Sequence, residues 1–481
     1  MAPASRQPEK RDSDKLDLQD VQFIQLRYTD VPGRFLAKYV FTDGEDPYDQ
    51  FRAGVGVDGS SVRGFASIDE SDMLLVPDRS TLRLVPTMSP RHRVAAVIAD
   101  VYQGFGKGRL ARDPRHVSQR MEEHLMHEGL ACQVGPEVEC FIFDEIVFFD
   151  DGDNKDPEIV SSEQSSGKSK YPIRRKGGYD APPFQDSLVE FRFDVAEILK
   201  KHYGIRATNL NHEVASSGQI EINFMHDTLT KAADNVQIYK DVVRNVARQH
   251  GKVANFMPKP IFDENDPRNG DNGSGMHVSV SLWKKAGSSG NIFYDANDEY
   301  AELSQAGRYF IGGVLSHAPS LAAIVAPTVN SYYRMVPGFE APVYVAWSRG
   351  NRSAIVRVPV NERNNARSKR VEFRAPDPSA NPYLAFSAIV AAGLDGIRKK
   401  VEPGDPVNED IYKMSASARS SLGIKSLPGS LEEALQALKS DSGYLQACFY
   451  GELLETYMEL KKAEAAGGRS KRQQFMLYYD I

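Results

Sequence analysis

Two glutamates, Glu137 and Glu139, stand two positions apart inside an otherwise apolar run, GPEVECFIF. Side chains of a strand alternate between faces, so on a strand both carboxylates project from one face, about 7 Å apart. A second acidic stretch, NHEVASSGQIEINF, has two β-prone runs flanking Ser216-Ser217-Gly218, the pattern of a hairpin with a three-residue loop. Symmetry about Ser217 then sets Glu213 opposite Glu221. Directly opposed like charges destabilise a ladder by up to ~1 kcal/mol, and a bound cation would account for their presence. Cations held through oxygen need several carboxylates converging on one cavity. Either pair alone also fits an ordinary exposed strand face.

In KRVEFRAPDPSANPYLAF, alternation sets Arg370, Glu372 and Arg374 on one face, with guanidinium groups bracketing a carboxylate. This could be a salt-bridged strand or a support for a metal between anionic ligands. The glycine-rich NGDNGSG runs straight into MHVSVSLW, where His277, Ser279 and Ser281 share one face. A strand follows the glycines, which excludes a Walker-type phosphate loop with its helix and Lys-Ser/Thr pair. A lone strand histidine is also compatible with a purely structural role.

The chain's 481 residues exceed the usual span of one domain. With 41% hydrophobic and 26% charged residues it has the balance of a folded globular chain. The net charge of -6, from 59 basic and 65 acidic residues, comes with no long basic run, so nucleic acid is not an expected partner. Cys132, Cys140 and Cys448 form no close-spaced pair and are expected to be buried thiols in a reducing cytosol. The first twenty residues lack the apolar stretch of a secretion signal. The stretches Ile311 to Val329 and Ala385 to Ile397 are interrupted by polar residues or proline and read as buried helices, so a cytoplasmic protein with no membrane span is expected.

Residues 1–15 read as a flexible tail. Alternating runs such as FIQLRYTD, RFLAKYVF and RVAAVIADV predict a small β-rich module over residues 16–112. Asp113-Pro114 opens a predicted helix, HVSQRMEEHLMHEG, which begins a larger unit over 113–481. The Asp-, Ser-, Lys- and Gly-rich segment 150–170 is expected to be an exposed loop.

Taken together, DGSSVRGF, GPEVE, KGGYDAPP, HEVASSGQIE, NGSGMH, NSYYRMVPGFEAPVYVAW, NRS, RVEFR and PDPSANPYLAF resemble the glutamine synthetase family, in its prokaryotic type I branch, and occur in the family's order. The resemblance implies an α+β fold: a small N-terminal β-grasp-like domain and a large catalytic domain with a curved antiparallel sheet flanked by helices. It also implies an ATP-dependent glutamate-ammonia ligase acting through γ-glutamyl phosphate.

Carried over position by position, Glu139, Glu213 and Glu221 would hold one divalent cation, and Glu137, His277 and Glu372 a second, Mg2+ with Mn2+ as the alternative. Arg334 and Arg374 would meet the carboxyl groups of L-glutamate, with Asn272, Gly273 and Glu139 helping to orient it. Arg352, Arg357 and Arg370 would meet phosphate oxygens, with Ser279 and Ser281 in the nucleotide site; the planar arginine fork suits both jobs. The ammonium site would comprise Asp58, Ser61, Tyr179, Glu213 and Glu340, with Asp58 as proton acceptor and Glu340 on a closing flap. Family members supply Asp58 from a neighbouring subunit, which implies a dodecamer of two stacked hexamers, with nitrogen-regulatory proteins as candidate partners.

Several positions depart from the family pattern. Ser279 stands where many members have a second histidine, Asn211 replaces a common histidine, and Ser67 occupies a position where one subtype has arginine. Tyr412 falls near a tyrosine adenylylated in another subtype, but the usual Asp-Leu-Pro-Pro after it is absent. A related ligase using an amine or polyamine would be expected to lose the ammonium-site carboxylates, and Asp58 and Glu340 are retained. A catalytically silent assembly protein would be free to lose its metal ligands, and all six are present.

Overall fold

The apolar runs near the N-terminus become the inner strands of a small sheet. A computed structural model of the chain describes residues 21–42, 53–85, 89, 91–104, 106–147, 156–164, 172–266, 268–284, 290–336, 341–360 and 362–481. The tail 1–15, Glu340 and much of the segment 150–170 therefore lie outside the described residues. The strands are β1 (Phe23–Thr29), β2 (Phe35–Phe41), β3 (Val55–Asp58), β4 (Asp72–Pro77), β5 (Arg83–Leu84) and β6 (Val94–Tyr102). They run in the order β2-β1-β6-β4-β3, with β5 also on β6. β1 and β6 pair in parallel and are buried along most of their length, as expected for strands covered on both faces.

Asp113 accepts the Arg115 N–H at 3.0 Å and so caps the helix Pro114–His127, whose proline occupies a first-turn position. The Arg115 side chain fastens the small sheet to the rest of the chain. Its guanidinium reaches Asp78 and Asp100 of the small module, each at 2.7 Å, and Asp234 of the helix Leu229–Gln249 at 2.9 Å.

The larger sheet is built from β7 (Leu130–Phe143), β10 (Ala207–His212), β11 (Gln219–Phe224), β12 (Val253–Asn255), β13 (Met276–Lys284), β14 (Tyr344–Arg349), β15 (Ala354–Val358), β16 (Val371–Phe373) and β17 (Lys425–Ser426), while β8 (Glu145–Val147) and β9 (Glu158–Val160) form a separate hairpin. The order is β10-β11-β7-β13-β16-β15-β14-β17, with β12 on β7. Its pairs are antiparallel except β14 and β15, which run parallel. One face is apolar: Val134, Val138, Cys140 and Ile142 are fully or almost fully buried, and Tyr239 of the Leu229–Gln249 helix donates to the Val138 carbonyl at 3.3 Å. All three cysteines are buried free thiols. The first apolar stretch becomes the helix Gln305–Val325 and, after a break at residues 326–328, the start of the helix Val329–Arg334; the second lies within the helix Pro382–Lys399. Gln305–Val325 and Pro382–Lys399 approach so closely that a Cβ on Gly313 would lie 2.2 Å from the Ala392 carbonyl oxygen. Among the described residues no helix is long and apolar enough to cross a membrane.

Two sequence expectations need correction. The β10–β11 hairpin has a longer loop than three residues: Asn211 faces Glu221, His212 faces Ile220, and the Glu213 N–H donates to the Gln219 carbonyl at 2.9 Å. Glu213 is thus diagonal to Glu221, not opposite it. The slip is an even number of positions, so both carboxylates stay on the same face. The segment 150–170 is not simply an exposed loop, because residues 158–160 form β9 and Glu163 is buried.

Candidate functional site

Strand register gathers the charged side chains into one row. Glu221 on β11 pairs with Glu139 on β7, and Glu137 on β7 pairs with His277 on β13. Glu372 on β16 lies opposite Ser279 of β13 on one side and Arg357 of β15 on the other. The polar face borders a cavity of about 760 Å³. Of the candidate residues, Glu137, Glu139, Glu213, Glu221, His277, Tyr179, Asn272, Gly273, Arg334, Arg352, Arg357 and Arg374 line it.

Ligand atoms of Glu137, His277 and Glu372 lie within 4.8 Å of one another, and so do those of Glu139, Glu221 and His277. The first trio coincides with one expected metal set. The second contains His277 where Glu213 was expected; Glu213 lines the cavity without joining either trio. Burial, then the charges of Glu139 and Glu137, hold the Glu221 carboxyl well above the usual range, although amides of Asn211 and Asn223 donate to it at 3.2 and 3.0 Å. Burial and the neighbouring Arg374, Arg334 and Arg357 keep His277 far below its ordinary value, hence neutral and able to donate a lone pair. Three crowded carboxylates beside a neutral imidazole fit a divalent cation bound through oxygen and nitrogen.

Glu372 is 1% exposed and held by Arg357 at 2.6 Å and Arg374 at 3.3 Å. The expected bracket of Arg370 and Arg374 is corrected here: Arg357 reaches across from the next strand, while Arg370 donates to Ser279 Oγ at 3.3 Å and to the Ser368 carbonyl at 3.2 Å. Arg370, Ser279 and Ser281 line an adjoining cavity of about 400 Å³, with Trp283 and Arg367. The two cavities share Glu137, Asn209 and Asn223.

Bare backbone makes room for Arg334: a Cβ on Gly273 would meet its Cγ at 2.7 Å, and one on Gly275 would meet its Nη2 at 2.8 Å. The guanidinium donates to the Ala375 carbonyl at 2.9 Å and to that of Arg374 at 3.3 Å. Asp58 and Ser61 line neither cavity. Asp58 is exposed and accepts from Ser60 and Ser61, whose bonds hold its carboxyl below the usual range.

Sequence reasoning missed several supporting residues. Gln219 donates to Glu139 at 3.1 Å and to the Gly273 carbonyl at 3.0 Å. Asp271 accepts from Ser216 N and Ser217 Oγ, both at 2.8 Å, tying the hairpin loop to the glycine stretch. Both lie within the motifs, so an acid or amide beside a proposed ligand was the available signal. Tyr412 lines the large cavity and donates to the Ala341 carbonyl at 3.0 Å. Nothing in its spacing predicts that contact.

Residues 111–478 match the family described as glutamine synthetase, catalytic domain, and residues 20–104 match its β-grasp domain. A glutamine synthetase of Sulfolobus acidocaldarius is 46% identical over 454 residues, 93% of this chain and 92% of that one. One of Frankia alni is 41% identical over 487 residues, 96% of this chain and 97% of that one. The fold is similar to a Plasmodium falciparum glutamine synthetase solved by cryo-electron microscopy (TM-score 0.82, 26% identity, 97% of each chain). It is also similar to a structure described as a GmaS/ADP complex (TM-score 0.75, 30% identity, 93% of this chain and 94% of that one).

Proposed function

The chain belongs to the glutamine synthetase family, and from that premise we propose how its cavities join ammonia to the side-chain carboxylate of L-glutamate, converting ATP to ADP and phosphate. The row Glu221, Glu139, Glu137, His277, Glu372 carries the reading, because it lines up acids and a neutral imidazole where two cavities meet.

Glu139, Glu213 and Glu221 would hold one divalent cation and Glu137, His277 and Glu372 the other, Mg2+ with Mn2+ as the alternative. Bound there, the cations offset phosphate charge and polarise the phosphoryl oxygens. Arg334 and Arg374, with Asn272 and Gly273, bind and orient L-glutamate. Ser279 and Ser281 meet the nucleotide in the adjoining cavity, while Arg352, Arg357 and Arg370 meet its phosphates. The sharing of Glu137 between the cavities supports a γ-phosphate that ends at the carboxylate row.

The glutamate side-chain oxygen attacks the γ-phosphorus and ADP leaves, producing an acyl phosphate. Ammonium gives a proton to Asp58, the resulting ammonia attacks the acyl carbon, and as the carbon–oxygen bond to phosphate breaks the extra nitrogen proton leaves with the phosphate. Tyr179, Ser61, Glu213 and Glu340 complete the ammonium site. That Asp58 is exposed and lines neither cavity supports its acting across a subunit boundary, in a ring of two stacked hexamers. The division at residue 112 separates the module that donates Asp58 from the one that carries the row.

The test is ADP release with glutamate, ATP and magnesium, comparing ammonium with methylamine and putrescine. Ammonium-driven release is expected; release driven by the amines and not by ammonium would overturn the assignment.

A further inference from the structure

Glu163 lies in the Ser-rich segment whose sequence suggests only an exposed loop, yet it is buried. Its Oε1 accepts from Ser187 N at 2.8 Å and Ser187 Oγ at 2.7 Å. Its Oε2 lies 2.9 Å from His212 Nε2, and His212 Nδ1 lies 2.8 Å from the Glu213 carbonyl oxygen. The imidazole thus bridges a buried acid and the backbone of a residue that lines the large cavity.

The same ring supports a second wall. The Gly178 N–H donates to the Val214 carbonyl and the Asp180 N–H to the His212 carbonyl, each at 3.2 Å. A Cβ on Gly178 would stand 2.4 Å from the Glu213 carbonyl oxygen and 2.8 Å from His212 Cε1. The turn carrying Tyr179 therefore rests on the His212 ring and on the backbone of Glu213.

Asp186 joins Glu163 and His212 in a group compact enough for a cation, but the observed contacts argue against one. The Arg192 guanidinium occupies Asp186, and two Ser187 donors occupy one oxygen of Glu163. We infer that Glu163 and His212 are a positioning pair, which fixes Glu213 and Tyr179 relative to each other at the ammonium end of the cavity. This rests on the reading that Glu213 and Tyr179 meet ammonium. Outer partners that orient metal ligands cost about 10–100-fold in metal affinity or activity when lost, which sets the scale expected for a support of Glu213.

Two conservative variants separate reach from charge. Glu163→Asp keeps the charge but, one methylene shorter, cannot hold Ser187 and His212 together. Glu163→Gln keeps the reach: its oxygen still accepts from Ser187, and its amide donates to a neutral His212 that keeps its Nδ1 proton on Glu213. Steady-state assays on the purified full chain, with KM measured separately for ammonium, glutamate and ATP, should show E163D raising the ammonium KM by on the order of tenfold or more. The glutamate and ATP constants should move less than the ammonium constant, and E163Q should stay near the unmodified enzyme. Impairment of E163Q equal to that of E163D would overturn the inference. So would an unchanged ammonium KM in both variants alongside a lowered Tm, which would mark the pair as structural only. Absence of ammonium-dependent turnover in the unmodified chain would instead strike the functional reading, and this inference with it.

Discussion

Glu221 and Glu139 stand directly opposite each other on neighbouring antiparallel strands, both buried, with Glu137 one step along the same face. Such a pair cannot carry two full charges cheaply, and burial together with Glu139 raises the Glu221 carboxyl from 4.5 to about 8. Between those values the folded metal-free protein keeps a proton that the unfolded chain has released. Stability of the metal-free form should therefore fall as pH rises from about 5 to about 8. Magnesium should flatten that slope, and its addition near pH 7 should release protons into a weakly buffered indicator solution. A flat stability profile without metal, or no proton release, would show that Glu221 is ionised before the cation arrives.

Two members of the row should respond oppositely to loss of charge. Glu221→Gln removes a like-charge clash while Asn211 and Asn223 can still donate to the amide oxygen, so above pH 8 the metal-free variant should be more stable by roughly 1–3 kcal/mol. Glu372→Ala strips the partner from the largely buried Arg357 and Arg374 and should cost about 3–5 kcal/mol. Chemical denaturation in chelator checks both, and turnover should be lost in each. Stabilisation by Glu372→Ala would mean that the arginines find other partners.

Much of this row was legible from strand period alone. Glu137 and Glu139 share a face because they are two apart, and the misjudged hairpin register shifted Glu213 by an even step, so its facing survived. The bracket on Glu372 was not legible, because Arg357 reaches it from a different strand and no sequence spacing encodes that pairing. Glu163 was hidden for another reason. Its segment has the composition of a solvated loop, and its burial depends on Ser187 and His212, which are remote in sequence.

An active site divided between subunits can be tested by mixing. Asp58→Asn lies in the small module and Glu221→Gln in the large one, and both chains should be nearly inactive alone. Reassembled together, some interfaces would pair two intact halves, and part of the activity should return. No recovery despite proven subunit exchange would argue that each chain completes its own site.

Asp58 sits at the start of a short turn, where two serine hydroxyls and a backbone N–H fix the position of its carboxylate and hold it below the usual range. In the proposed mechanism Asp58 takes the proton of ammonium, and a positioned base contributes typically ~10²–10⁴-fold to a proton transfer. Asp58→Asn should therefore slow glutamine formation strongly. Phosphoryl transfer should suffer less, because Arg334, Arg357 and Arg374, proposed to meet glutamate and phosphate, still line the cavity unchanged. Hydroxylamine separates the two steps: largely uncharged near neutral pH, it attacks activated glutamate without first surrendering a proton to Asp58. The variant should keep much more of its hydroxamate-forming activity than of its ammonium-dependent activity. Equal losses in the two assays would place Asp58 in phosphoryl transfer or in assembly, and its role toward ammonium would have to be abandoned.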